Sequence, residues 1–142
     1  MFGLSKSKKK SIPAKILVID DEPDLVSTIK CRLEWCKFQV VTAGNGEDGL
    51  EKAASEKPDL ILLDIDMPGM NGHDVLDRLR NCPDLRGIPV IMCTALCEAE
   101  DIAKASSYGI VDYIAKPFDF SELVEKISIF LGNKSLSEHR AE

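Results

Sequence analysis

The sequence predicts an α/β protein: a doubly wound sheet of five parallel strands with five helices on its two faces. Three observations carry this. Strand-like and helix-like segments alternate five times along the 142 residues. Two of the strand-like runs, Ile16-Leu17-Val18-Ile19 and Leu60-Ile61-Leu62-Leu63, are apolar without alternation, the pattern of strands covered on both faces. The length suits one domain able to bury a core without disulfides or metal staples.

The elements follow in order. Residues 15–20 read as the first strand. Asp24 can cap a helix running to about Trp35, with Leu25, Ile29 and Leu33 at helical spacing. Residues 38–43 are a β-branched second strand. Gly44-Asn45-Gly46 is a turn, and Asn45 can cap a helix that carries Leu50, Ala53 and Ala54 on one face. Pro58 punctuates before the third strand, residues 59–64. After the loop at 67–72 comes a helix with Val75, Leu76 and Leu79 inward, stopped near Asn81-Cys82-Pro83. Residues 89–94 form the fourth strand. A weaker helix spans about 98–107 and is closed by Gly109, which tolerates the left-handed conformation favoured at helix ends. Residues 111–115 are a short fifth strand. The last helix, about 120–131, shows Leu123, Val124, Ile127, Phe130 and Leu131 as an inward stripe and ends at Gly132.

Five strand–helix units demand right-handed crossovers and helices on both faces. With five strands the flavodoxin-like order 2-1-3-4-5 is favoured, which makes the first and third strands neighbours. Ligands then bind beyond the carboxyl ends of the strands at that switch point. Asp20 and Asp21 end the first strand and Asp64 ends the third, so the topology gathers three carboxylates. Thr94 ends the fourth strand and Lys116 follows the fifth, on the same rim.

Composition bounds the function. A net charge of -6 argues against nucleic acid as the main partner. The exception is a basic stretch, Lys6, Lys8, Lys9, Lys10 and Lys15, so residues 1–13 are expected to be a flexible, solubilising arm. Residues 14–132 would be the folded domain and 133–142 a polar tail. No apolar stretch approaches the ~20 residues of a spanning helix, and Met1 to Leu4 is too short for a signal-peptide core, which makes the cytoplasm the default. Five cysteines, Cys31, Cys36, Cys82, Cys93 and Cys97, form no close pair suited to zinc and are expected to be reduced structural thiols.

Three carboxylates within a few ångström repel by roughly 4 kcal/mol per pair at an effective surface dielectric. Such a cluster takes up protons or holds a cation, and hard oxygen ligands with open positions suit Mg²⁺ or Mn²⁺. An Asp beside that cation, faced by the Lys116 ammonium and the Thr94 hydroxyl, is equipped to accept a phosphoryl group as a carboxylate nucleophile.

Asp20-Asp21, Asp64 with Met67-Pro68 and Gly72, Thr94-Ala95, and Tyr113-Ile114-Ala115-Lys116-Pro117-Phe118 together resemble the receiver domain of two-component response regulators. The match covers roughly Ala14 to Leu131, with the motifs in order. The resemblance implies that Asp64 is phosphorylated by a histidine kinase, a phosphotransfer protein or a small phosphodonor. It implies a metal held by Asp21, Asp64 and the backbone carbonyl of Asp66, with Asp20 acting mostly through metal-bound water. Lys116 would pair with the phosphate, the bond to Pro117 would be cis, and Thr94 and Tyr113 would shift together. That shift would alter the face made by the fourth helix, fifth strand and fifth helix, on which an unidentified downstream protein would dock. Asp112 and Lys126 stand where some members place dimer-bridging charges, so a homodimer through that face stays open.

Two other classes compete. Asp64-Ile65-Asp66 echoes the nucleophile-and-acid pair of haloacid-dehalogenase-like phosphatases, although Pro68 stands where that family carries Thr or Val. A flavodoxin-like cofactor binder would need a phosphate loop after the first strand, which is missing. Glu22 reads as an exposed acid near the metal waters and His73 as a solvent-exposed residue. Asp66 and Leu96 occupy positions that vary among receivers. No DNA-binding or catalytic segment follows Leu131, which leaves a stand-alone receiver or the receiver piece of a longer chain.

Overall fold

The computed structural model of the chain describes residues 13–131. The basic arm and the polar tail expected at the two ends therefore lie outside the described residues, apart from Pro13. Strands β1 (Lys15–Ile19), β2 (Gln39–Ala43), β3 (Leu60–Leu63), β4 (Val90–Thr94) and β5 (Asp112–Ala115) alternate with helices α1 (Pro23–Trp35), α2 (Gly46–Glu56), α3 (Gly72–Arg80), α4 (Ala99–Ser107) and α5 (Phe120–Phe130). All the strand pairings are parallel and the order is β2-β1-β3-β4-β5, as the alternation predicts.

The unbroken apolar runs are explained by two cores. Leu17, Ile19, Ile61, Leu63 and Met92 point to one face, where they meet Ala53, Val75, Leu76, Leu79 and Ala105. Their neighbours Ile16, Val18, Leu60, Leu62, Ile91 and Cys93 point to the other and meet Ile29, Leu33, Leu123 and Ile127. Because successive strand residues alternate faces, a strand sandwiched between helices needs an apolar residue at every position. Each fully buried side chain of this size contributes about 1.5–3 kcal/mol.

Helix starts follow local chemistry. The Asn45 side chain accepts the Asp48 N–H at 2.8 Å and opens α2. Asn71 and Asp74 form a reciprocal capping box that fixes the first turn of α3. The first helix departs from expectation: its cap position is Glu22, not Asp24, because Pro23 with its preset φ and missing N–H takes the first helical position. Asp24 lies within the first turn, where its charge still favours the helix N-terminus. The stripe of α5 loses one expected member, since Phe130, the last residue of the helix, is 38 % exposed, whereas Leu131 just beyond it packs against the core. Helix α4 is the least embedded, with Ala105 its one buried residue.

Arg80, in the last turn of α3, ties distant loops together. Its Nε donates to the Tyr108 carbonyl at 2.7 Å, and Nη1 donates to Arg86 and Ile88 at 3.0 and 3.1 Å. Nη2 reaches the Gly109 carbonyl at 3.5 Å. A guanidinium fork suits several carbonyls at once.

All five cysteines are free thiols, as composition suggested. Cys93 is buried in β4, and burial pushes its thiol up to about 12. An alkylating reagent at pH 8 is therefore expected to modify exposed Cys31 rapidly and Cys93 only after unfolding. Peptide mapping by mass spectrometry with and without urea checks this; rapid native labelling of Cys93 would contradict the packing.

Candidate functional site

The β1–β3 pairing decides where the acids go. Ile19 is in register with Leu63, so the residues that leave the sheet next, Asp20 and Asp64, emerge side by side. Their backbones stay tied to the sheet: the Asp64 N–H donates to the Ile19 carbonyl and the Asp20 N–H to the Ala43 carbonyl, each at 3.1 Å. Both carboxylates are nearly buried, 3 % and 4 % exposed, whereas Asp21 is exposed. One carboxylate oxygen from each of Asp20, Asp21 and Asp64 lies within 4.8 Å of the others. Three anionic oxygens at that separation, with one side open, fit a hard divalent cation that keeps several waters.

Lys116 follows β5 and reaches into the same cluster. Its Nζ donates to Asp20 Oδ2 at 2.7 Å, to Glu22 Oε1 at 2.9 Å and to Asp64 Oδ2 at 3.2 Å. The bond between Lys116 and Pro117 is cis, as expected. Burial alone would lower the ammonium's pKa, but hydrogen bonds to Asp20 and Glu22 and the charges of Asp20 and Asp64 raise it. The Asp20 carboxyl is raised chiefly by burial and further by the charge of Asp64, while Lys116 and the Glu22 N–H pull it back. Lys116 is thus a permanent cation among acids that crowd one another.

Backbone amides hold the carboxylates in place. The Asp66 N–H donates to Asp64 Oδ1 at 3.2 Å and the Glu22 N–H to Asp20 Oδ1 at 3.0 Å. Behind Asp64, the Gly72 N–H donates to the Ile65 carbonyl at 2.9 Å, which draws the start of α3 against the loop that follows Asp64.

Thr94 is fully buried at the end of β4, and its Oγ1 accepts the Leu96 N–H at 3.1 Å. The Leu96 carbonyl in turn accepts the Tyr113 hydroxyl. Leu96 therefore links the two residues for which the family resemblance implies a joint shift. Burial raises the Tyr113 phenol to about 12, with Cys97, Asp101 and Asp64 adding to it, so the hydroxyl remains a donor across ordinary pH.

The structure brings Asp20, Asp21, Asp64 and Lys116 into one pocket; Thr94 and Tyr113 form a second layer joined through Leu96. Asp66 is exposed beside them. Two sequence readings need correction. Glu22 is not a bystander, because it binds the Lys116 ammonium directly. His73 is buried, not exposed: it is the second residue of α3, and its Nε2 faces Asp101 Oδ1 of α4 at 3.6 Å. The Asp112 and Lys126 side chains pair with each other at 3.0 Å within the chain.

Comparison with known proteins agrees with this geometry. The family profile "Response regulator receiver domain" matches residues 16–128. Protein PilH of Pseudomonas aeruginosa is 37 % identical over 118 residues, covering 83 % of this chain and 98 % of its own. The alkaline phosphatase synthesis transcriptional regulatory protein PhoP of Bacillus subtilis is 36 % identical over 128 residues, 90 % of this chain and 52 % of its own. The chain spans about half the length of the first curated relatives it matches. Among solved structures, a CheY-like receiver domain protein from Methanospirillum hungatei superposes with a TM-score of 0.80 at 29 % identity, covering 88 % of this chain and 98 % of the other. The chemotaxis protein CheY4 of Vibrio cholerae gives 0.79 at 25 % identity, covering 83 % and 98 %. None of these matches supports the haloacid-dehalogenase-like alternative. The chain belongs to the response regulator receiver domain family.

Proposed function

We propose that Asp64 is the phosphoacceptor of a signalling switch and that its donor is a histidine kinase, a phosphotransfer protein or a small acyl phosphate. One observation carries this reading: Asp20, Asp21 and Asp64 converge within 4.8 Å while the Lys116 ammonium stands 3.2 Å from Asp64. An Asp64 oxygen forms the new bond to phosphorus as the donor's bond to phosphorus breaks, and the donor leaves with that electron pair. Asp20, Asp21, Asp64 and the Asp66 backbone carbonyl would hold Mg²⁺ or Mn²⁺, which supplies neutralisation of phosphoryl oxygens and a fixed orientation. Lys116 neutralises a further oxygen.

The output follows from the Thr94–Leu96–Tyr113 link. A phosphoryl group adds about -1.5 to -2 charge and new acceptor oxygens. When the Thr94 side chain moves toward the phosphoryl group so that its hydroxyl donates to one of them, Oγ1 leaves the Leu96 N–H, and the carbonyl that holds Tyr113 is freed to move. The switch therefore reports on α4, β5 and α5, where a downstream protein docks. The phosphate shifts this equilibrium only by the difference in its affinity for the two packings. Among the described residues no helix is long and apolar enough to cross a membrane, which supports a cytoplasmic setting.

Incubation with a small acyl phosphate and Mg²⁺, followed by intact-mass measurement, tests the assignment. One added phosphate is expected on the wild type and none on Asp64→Asn. Equal labelling of the two would place the acceptor elsewhere, and continuous turnover of a phosphate ester would indicate an enzyme.

A further inference from the structure

Glu22 occupies the cap position of α1, yet its side chain makes no capping bond; it is turned to Lys116 instead, at 2.9 Å. Its backbone is fixed by the acid pocket itself, because its N–H donates to Asp20 and its carbonyl accepts the Val26 N–H at 3.0 Å. Lys116 thus bonds three carboxylates, of which Asp20 and Asp64 also belong to the trio suited to a cation. Glu22 does not belong to that trio. A divalent cation and the ammonium compete for Asp20 and Asp64, and as like charges they repel.

We propose that Glu22 is a positioning residue that keeps Lys116 in the pocket when a divalent cation takes Asp20 and Asp64. The inference rests on the reading of the acid trio as the cation site. The ammonium displaced from the two buried aspartates retains one charged hydrogen bond, to an acid outside the cation's ligand set. It therefore stays beside the acceptor oxygen without contesting the cation's ligands. Without Glu22 the ammonium has no carboxylate among its three present partners except those the cation needs. Lys116 then becomes a stronger competitor. The Glu22 side chain is 55 % exposed, so it can follow the ammonium as it moves.

Mn²⁺ binding followed by the electron paramagnetic resonance of the free ion tests this on wild type, Glu22→Gln, Lys116→Met and the double variant. Glu22→Gln is expected to weaken Mn²⁺ by about three- to fivefold, the upper range for a partly exposed ion pair. Lys116→Met is expected to tighten it. In the Lys116→Met background the Glu22→Gln change shrinks to less than about twofold, the remaining screened field of one charge. Equal weakening in both backgrounds, or none in either, overturns the proposal. Asp24→Asn removes an exposed charge two residues away that makes no bond to Lys116; should Lys116→Met fail to fold, this comparison decides. A loss there as large as for Glu22→Gln would mean a general field effect and overturn the role of Glu22. Wild type that binds no Mn²⁺ defeats the cation reading as well. Additive losses in a protein that binds Mn²⁺ and is labelled at Asp64 defeat Glu22 alone.

Discussion

Lys116→Met is expected to leave Asp64 almost unphosphorylated at saturating Mg²⁺. The rate of incorporation from an acyl phosphate should fall by about 100- to 1,000-fold, the range for losing one donor aimed at developing charge in a water-poor site. The side chain of Met keeps the bulk of the aliphatic stem and removes only the ammonium that stands 3.2 Å from Asp64 Oδ2. The same variant should bind the cation more tightly, because the ammonium no longer contests Asp20 at 2.7 Å. Rate and affinity therefore move in opposite senses, so the loss cannot be assigned to a missing metal. Time-resolved intact-mass kinetics across a Mg²⁺ titration provide the measurement, and a rate near that of wild type would remove Lys116 from the chemistry.

The second large effect is expected at Gly72. A Cβ there would meet the Asp64 carbonyl oxygen at 2.4 Å and the Ile65 Cα at 2.6 Å, both backbone atoms that cannot rotate away. Gly72→Ala must push α3 off the loop that follows Asp64, and overpacking of this kind costs about 1–3 kcal/mol. It should also break the Gly72–Ile65 hydrogen bond and displace Asp64 from Lys116, slowing phosphorylation in the molecules that remain folded. Urea denaturation and phosphorylation rate measured together check both parts. Gly44→Ala is the control, since a Cβ there meets nothing within 4 Å. Equal stability of the two variants would show that α3 can retreat without cost.

Much of the fold was legible because its signals are local and repeated. The unbroken apolar runs 16–19 and 60–63 report burial on both faces, and Asn45 begins a helix by side-chain chemistry within a few residues. The pocket was legible for a topological reason: once β1 and β3 are neighbours, acids at their ends must meet. What escaped the sequence depends on reach between distant segments. The Glu22–Lys116 bond joins residues 94 apart, and only the fold shows that an acid in a capping position turns away from its helix. His73 looked like an exposed polar residue because nothing in its neighbourhood reveals that α4 lies over it. Arg80 gave no signal either, because its partners are backbone carbonyls, which every residue type carries.

The Arg80 tether decides which end of α4 is free. The guanidinium holds the carbonyls of Tyr108 and Gly109, immediately after the helix, while Ala105 is its one buried residue. The C-terminal end is therefore an axle fastened to α3. The opposite end is held by single contacts instead of a fork, the Tyr113 hydroxyl on the Leu96 carbonyl, the Cys97 thiol on the Thr94 carbonyl and Asp101 beside His73 at 3.6 Å, and is the lever arm. A rearrangement begun at Thr94 would be felt as rotation about that axle, displacing the start of α4 far more than its finish.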